Sequence, residues 1–182
     1  MLRLLAVVLI LPIGAAPETV KVGQKAPEFT LKTFDGKEVS LKQLLSEEKT
    51  KAVAVVFWAF KCPAIKASDP VTIRIHEEFK DKGVVFLGID SDQAETKDSE
   101  AVLKHVAEHG TYPVLCDTGN VVADQFGAIT TPHVFLIEKG GQVVYRGGPY
   151  AKIKDDPPAL KAAIVELLAG KEITLKETKP FG

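Results

Sequence analysis

Val53-Ala54-Val55-Val56-Phe57-Trp58-Ala59-Phe60-Lys61-Cys62-Pro63-Ala64-Ile65-Lys66-Ala67 is the stretch on which the fold turns. Its first half is an unbroken, β-branched apolar run, the pattern of a strand buried on both faces. Its second half is Cys-Pro followed by residues of helical character. Proline suits the first helical position, so the pair reads as a cysteine at the mouth of a helix. The unpaired N–H groups there, with a partial positive charge of roughly +0.5, stabilise thiolate over thiol. Lys61 and Lys66 are placed to add to that field. The plainer alternative is an inert buried cysteine, because free cysteine is among the most buried residue types.

Around this stretch the chain alternates between the two periodicities. Upstream, Phe29 to Phe34 alternates apolar and polar, Asp35-Gly36 signals a hairpin, and Lys37 to Val39 is the return strand. Ser40 and Gln43 have capping-box spacing and predict a short helix over 41–46. Downstream, a helix is expected to run to about Lys82 with Ile73, Ile75 and Phe79 facing the core and Pro70 inside it. Gly83 stops it before an apolar strand at 84–89. A helix over about 99–109 is expected to turn Val102, Leu103 and Val106 inward, with Gly110 as its stop. Then follow a strand at 113–116, a helix at 121–126, strands at 133–138 and 143–146, a helix at 159–169 and a polar tail. This order predicts an α/β fold, a mixed sheet with helices on both faces. Its sites are expected at the C-terminal ends of the parallel strands, where Cys62, Asp90 and Asp117 would lie.

Length and composition bound the answer. At 182 residues the chain holds one well-packed domain. A net charge of −1 argues against nucleic-acid or anionic-membrane partners. Arg3, the apolar run Leu4 to Leu11 and the small residues Gly14 to Ala16 have the layout of a secretory signal peptide, too short to span a bilayer. The expected organisation is therefore a signal peptide at 1–16, a domain at 17–170 and a tail at 171–182. The expected location is periplasmic or extracellular, with the uncleaved signal as an alternative membrane anchor. In an oxidising compartment the two cysteines, Cys62 and Cys116, are candidates for a disulfide.

The order of elements resembles the thioredoxin fold in its redoxin or peroxiredoxin-like branch, the alkyl hydroperoxide reductase and thiol-specific antioxidant family. The resemblance covers about residues 20–170. Val22 to Leu31 with Asp35-Gly36-Lys37 is similar to the N-terminal β-hairpin extension of that branch. Phe57-Trp58-Ala59 and Cys62-Pro63 resemble its active-site strand and loop. Pro70 falls where such proteins kink the active-site helix, and Thr131-Pro132 resembles their cis-proline segment. The resemblance implies Cys62 as attacking thiolate and a substrate groove formed by Trp58, Pro63, Thr131 and Pro132. A cis Pro132 would set the Thr131 backbone against the thiol. Expected partners are a protein thiol or disulfide, or a hydroperoxide, with an external thiol as reductant; no cofactor and no metal are expected.

The sequence also departs from the family pattern. Ile65 stands where Cys-x-x-Cys proteins carry the second cysteine, so release of a mixed disulfide from that position is closed. Val55 and Ala59 stand where peroxiredoxins carry proline and a hydroxyl residue. The one-cysteine Cys-Pro-x-x-Lys-Ala pattern resembles a branch that often has another cysteine past a C-terminal Gly. This sequence ends at Gly182, and no resolving thiol is expected from the tail. Cys116 is the remaining candidate resolver, against a reading as a small core residue. His105 and His109, at i and i+4, suit metal ligation, but with no third ligand a solvated helix face is favoured. His133 is read as packing on its strand. Two function classes stand: a thiol-dependent oxidoreductase, and a redoxin-fold binding module without redox turnover.

Overall fold

The computed structural model describes residues 20–110, 112–152 and 156–180; the segment read as a signal peptide lies outside them. Seven strands form one mixed sheet in the order β2-β1-β5-β4-β3-β6-β7. They are β1 (Thr30–Thr33), β2 (Glu38–Ser40), β3 (Ala52–Trp58), β4 (Val84–Asp90), β5 (Val114–Cys116), β6 (His133–Glu138) and β7 (Val143–Gly147). The helices are α1 (Leu41–Ser46), α2 (Pro63–Phe79), α3 (Ser99–His109), α4 (Val121–Phe126) and α5 (Ala159–Leu168). β3, β4 and β5 run parallel, whereas β6 pairs antiparallel with β3. The N-terminal hairpin joins the sheet through β1, antiparallel to β5.

All seven residues of β3 are buried, because the strand is central and covered on both faces. Ala52, Ala54 and Val56 pack with Ile75 and Phe79 of α2 and Leu160 and Ile164 of α5. Val53, Val55 and Phe57 face the other way, into a core with Leu41 of α1 and Phe126 of α4. Each fully buried aliphatic or Phe side chain stabilises by roughly 1.5–3 kcal/mol, so this strand is the anchor of both cores. Beneath its C-terminal end a third cluster joins Trp58, Ile65, Val102 and Val114. Gly83 closes the turn into β4 with φ +92°, and a Cβ there would lie 2.5 Å from the Lys49 carbonyl oxygen. That close approach is why the helix stop is a glycine.

Three expectations need correction. Ile73 is only half-buried, because α2 turns Ile75 and Phe79 to the sheet and leaves Ile73 at the margin. Leu103 is 39% exposed, since α3 directs Val102 inward and one residue further carries the chain off that face. Ser40 is extended and makes no side-chain cap to α1. Beyond what was expected of the polar tail, it docks: Ile173 enters the core, Arg146 N–H donates to Lys176 O at 3.0 Å, and Thr178 N–H donates to Arg146 O at 3.0 Å. The polar composition concealed this because the attachment is mainly backbone pairing along the β7 edge.

Phe126 ties α4 to the sheet through rings of Phe29, Phe57 and Phe135 at centroid distances of 6.1, 5.5 and 5.1 Å. Phe126→Ala is expected to destabilise the fold by roughly 3–5 kcal/mol, measured by urea unfolding; a loss below about 1 kcal/mol would mean that the site collapses without a cavity.

Candidate functional site

Cys62 sits at the N-cap of α2 with extended dihedrals, φ −67° and ψ 125°, and Pro63 takes the first helical position. The loop that carries it is short and tied down: Cys62 N–H donates to Ala59 O at 3.0 Å, and Lys66 N–H closes the first helical turn on Cys62 O at 3.1 Å. The half-buried sulfur faces the Thr131 carbonyl oxygen at 3.4 Å. The Thr131–Pro132 peptide is cis. The sheet register explains the meeting. Phe57 of β3 pairs with His133 of β6, so the end of one strand lies beside the beginning of the other.

An open cleft of about 520 Å³ lies over this point. Its lining includes Cys62, Lys61, Glu95, Asn120, Ile129 and Thr131. Ile129 is 80% exposed, an apolar side chain presented at the rim. Trp58 contributes to the floor rather than the rim: it is fully buried, and its Nε1 donates to the Asp69 carboxylate at 3.0 and 3.2 Å. Burial pushes the Asp69 carboxyl up from the ordinary range, opposed by that indole bond. Pro63 is exposed at the helix start, and the Lys61 ammonium lies 5.1 Å over the Phe60 ring.

Cys116 and Cys62 are both free thiols. Cys116 is in register with Asp90, and Asp90 with Trp58, so it lies two strands from the end of β3, roughly 10 Å across the sheet. Its sulfur faces Thr118 Oγ1 at 3.4 Å and Thr96 O at 3.8 Å, and it lines a separate cleft with Glu28, Thr30 and Gln125. Asp117 is a structural cap: its carboxylate accepts from Val122 N–H and Ala123 N–H at the start of α4 and from Ser91 Oγ at 2.8 Å.

The histidines divide differently than expected. His105 is not on a fully solvated face. Its ring stacks on Phe60 at 5.1 Å and on His109 at 4.0 Å and leans on Trp58 at 5.6 Å, so it packs the loop before Cys62. Burial lowers its pKa. Among the described residues no three His, Cys, Asp or Glu side chains cluster as metal ligands. His133 packs on Phe135 at 4.5 Å, and burial pushes its pKa down to about 4, helped by the Arg146 charge.

One residue escaped the sequence reading altogether. Glu95 is 1% exposed, and its carboxylate accepts the backbone N–H of Phe60 at 2.9 Å and of Lys61 at 3.1 Å. It holds the segment next to the thiol. It lies in a polar run, and the only local hint was Asp92, whose carboxylate caps Ala94 and Glu95 N–H.

A cysteine at the mouth of the helix after the central strand, facing a cis-proline segment, defines a thioredoxin-like redoxin. The chain belongs to the AhpC/TSA family, whose model matches residues 22–146. It is 31% identical over 131 residues to the thiol-disulfide oxidoreductase ResA of Bacillus anthracis, covering 71% of each chain. Its fold is similar to that of an uncharacterized conserved protein from Geobacillus kaustophilus, with 27% identity, TM-score 0.79 and 88% of each chain covered. It is also similar to the thioredoxin domain of a thiol-disulfide oxidoreductase from Bacteroides vulgatus, with 26% identity and TM-score 0.59, over 70% of this chain and 89% of that one.

The depressed pKa of His133 sets an acid limb. The unfolded imidazole titrates near 6.5 and the folded one near 4, so the native state binds fewer protons between them. Stability from this group is therefore complete above about pH 6.5 and is lost as pH falls through 4, up to about 3 kcal/mol. The difference in urea-unfolding free energy between wild type and His133→Leu is expected to shift in favour of the variant as pH drops from 7 to 4; a pH-independent difference would contradict a neutral buried His133.

Proposed function

We propose that the protein is an exported thiol–disulfide oxidoreductase in which Cys62 is the nucleophile. The observation that carries the reading is the placement of Cys62: N-cap of α2, sulfur 3.4 Å from Thr131 O, at the open cleft. The helix N-terminus favours the thiolate electrostatically. The Thr130-Thr131 segment lines the cleft beside the thiol, where a substrate segment can meet its backbone groups, with Ile129 as an apolar contact at the rim. Kinship with ResA, named a thiol-disulfide oxidoreductase, supports the same chemistry. Export rests on the layout of residues 1–16.

In the proposed cycle the Cys62 thiolate attacks one sulfur of a substrate disulfide. The S–S bond breaks, a Cys62 mixed disulfide forms, and the leaving thiolate takes a proton. The fourth position of the motif is Ile65, 1% exposed in the cluster under the site, so no second thiol follows on the helix. Cys116 faces Thr96 and Thr118 in another cleft. We therefore assign release to an external dithiol: its first thiolate attacks the Cys62 sulfur and expels the substrate thiol, and its second attacks the first thiol's sulfur, closing the dithiol's own disulfide and freeing Cys62 as the thiolate. A hydroperoxide is the alternative substrate and would give a sulfenic acid at Cys62. Ala59, with no hydroxyl to orient a peroxide, makes the disulfide the better fit. The burial of Ile65 also favours a second reading, a binding module that uses the cleft without turnover.

The test is turnover of a protein disulfide, insulin with dithiothreitol as terminal reductant, beside consumption of hydrogen peroxide. Wild type is expected to accelerate insulin reduction and Cys62→Ser to lose that acceleration. Cys116→Ser separates the two routes of release: surviving turnover fits the external thiol, and its loss puts Cys116 in the cycle. Wild type no faster than Cys62→Ser in both assays would leave the binding module.

A further inference from the structure

Beneath the Cys62 loop lies a buried pair of carboxyl groups that the cycle above does not use. Asp90, the last residue of β4, is fully buried, and Glu95 is 1% exposed. The two side chains are neighbours in this buried layer. Asp90 Oδ1 accepts Asp92 N–H at 2.9 Å, but no donor faces Oδ2. Glu95 has both oxygens engaged, Oε2 with Phe60 N–H and Oε1 with Lys61 N–H. Two ionised carboxylates cannot hydrogen-bond to each other, and an unpaired charge at this depth is costly. One proton removes both difficulties. It must sit on Asp90, because both oxygens of Glu95 are accepting from backbone donors.

We propose that Asp90 is a carboxylic acid donating its proton to Glu95, and that this acid–carboxylate pair positions Cys62 by clamping the Phe60–Lys61 backbone. The inference rests on Cys62 being the reacting group. Asp90 and Glu95 act as positioning residues: Glu95 grips the two peptide N–H groups immediately before the thiol, and Asp90 orients Glu95. The surroundings are consistent with a neutral Asp90. Asp92 and Glu95 face it from the following loop. Cys116 and Trp58 flank it in register on β5 and β3, and Asp117 donates its backbone N–H to Asp90 O at 2.8 Å. None of these is a cation paired with its side chain. Burial and the neighbouring acids raise its pKa to about 8.

The pair is consequently sensitive to alkaline pH. Above about 8 Asp90 loses its proton, two like charges meet, and Glu95 is driven from the loop. The sign for stability follows: the folded pKa is above the unfolded value of 3.8, so the contribution of Asp90 is complete below that value and is lost as pH rises through 8. Asp90→Asn keeps a donor for Glu95 at every pH and removes the titration.

The experiment uses the chain with Cys116→Ser, leaving one thiol. It follows amide-exchange protection of Phe60 and Lys61, with iodoacetamide alkylation of Cys62, from pH 6 to 9.5. With Asp90 present, protection of those two amides should fall roughly ten- to a hundredfold as pH passes 8, the loss expected for a charge-assisted bond. With Asp90→Asn it should stay level. The ratio of alkylation rates between the two proteins should be constant below pH 7 and diverge above 8. Glu95→Gln should lower protection of both amides at all pH values; if that variant does not fold, the Asp90→Asn comparison decides alone. Protection that is flat with pH in both proteins, or a constant rate ratio, would overturn the proposal. No substrate enters the measurement, so a protein without turnover still gives the answer, and a failed clamp leaves the Cys62 assignment standing.

Discussion

Val56 of β3 pairs with Val134 and Phe57 with His133 of β6, and this antiparallel register is what brings a helix-capping thiol against the Thr131 backbone. A slip of one residue would move every side chain of β3 to the wrong face. Both faces are buried, with Val53, Val55 and Phe57 in one core and Ala52, Ala54 and Val56 in the other, so neither alternative register is tolerated. The cores thus fix the site to within the length of a short loop. From Trp58 onward the chain has only Ala59, Phe60 and Lys61 before Cys62, and that span is where the remaining freedom lies.

The protein restricts that freedom with polar and aromatic contacts rather than with more aliphatic packing. Glu95 takes two backbone N–H groups, His105 stacks on Phe60, and Asp69 holds the Trp58 indole. Each contact comes from a different element, α3, α2 or the loop after β4. The site is therefore the place where three elements are tied to the end of β3. Buried polar groups cost free energy unless satisfied, and their concentration here marks the segment whose geometry matters most. At the opposite edge, the tail pairs with β7, and Thr178 bonds Tyr145 Oη at 2.9 Å and Gly148 N–H at 2.9 Å.

Much of the fold was legible because its signals are local. The apolar runs of β3 and β4, the stops at Gly83 and Gly110, and Asp35-Gly36 each act within a few residues. Cys62-Pro63 was legible for the same reason, since proline marks the first helical position, whereas the cis Thr131-Pro132 bond was legible only through the family resemblance, because an X-Pro bond is trans unless its surroundings select otherwise. What stayed hidden depends on contacts distant in sequence. Glu95 meets N–H groups 34 and 35 residues away, and a backbone donor leaves no mark in the side-chain pattern. The His105 and His109 spacing is the same whether the face is wet or lies under an aromatic loop, and only the position of Phe60 decides. Leu103 shows the limit of periodicity: one position off the buried stripe turned an apolar residue outward.

In the proposed cycle the sulfur of Cys62, held between the helix mouth and Thr131, exchanges with a substrate sulfur. The most direct measurement is to trap the mixed disulfide with an excess of a peptide disulfide in the absence of reductant and to map the adduct by mass spectrometry of proteolytic fragments. The expected result is an adduct on Cys62, formed faster than on Cys116. An adduct confined to Cys116, or equal slow labelling of both cysteines, would contradict it.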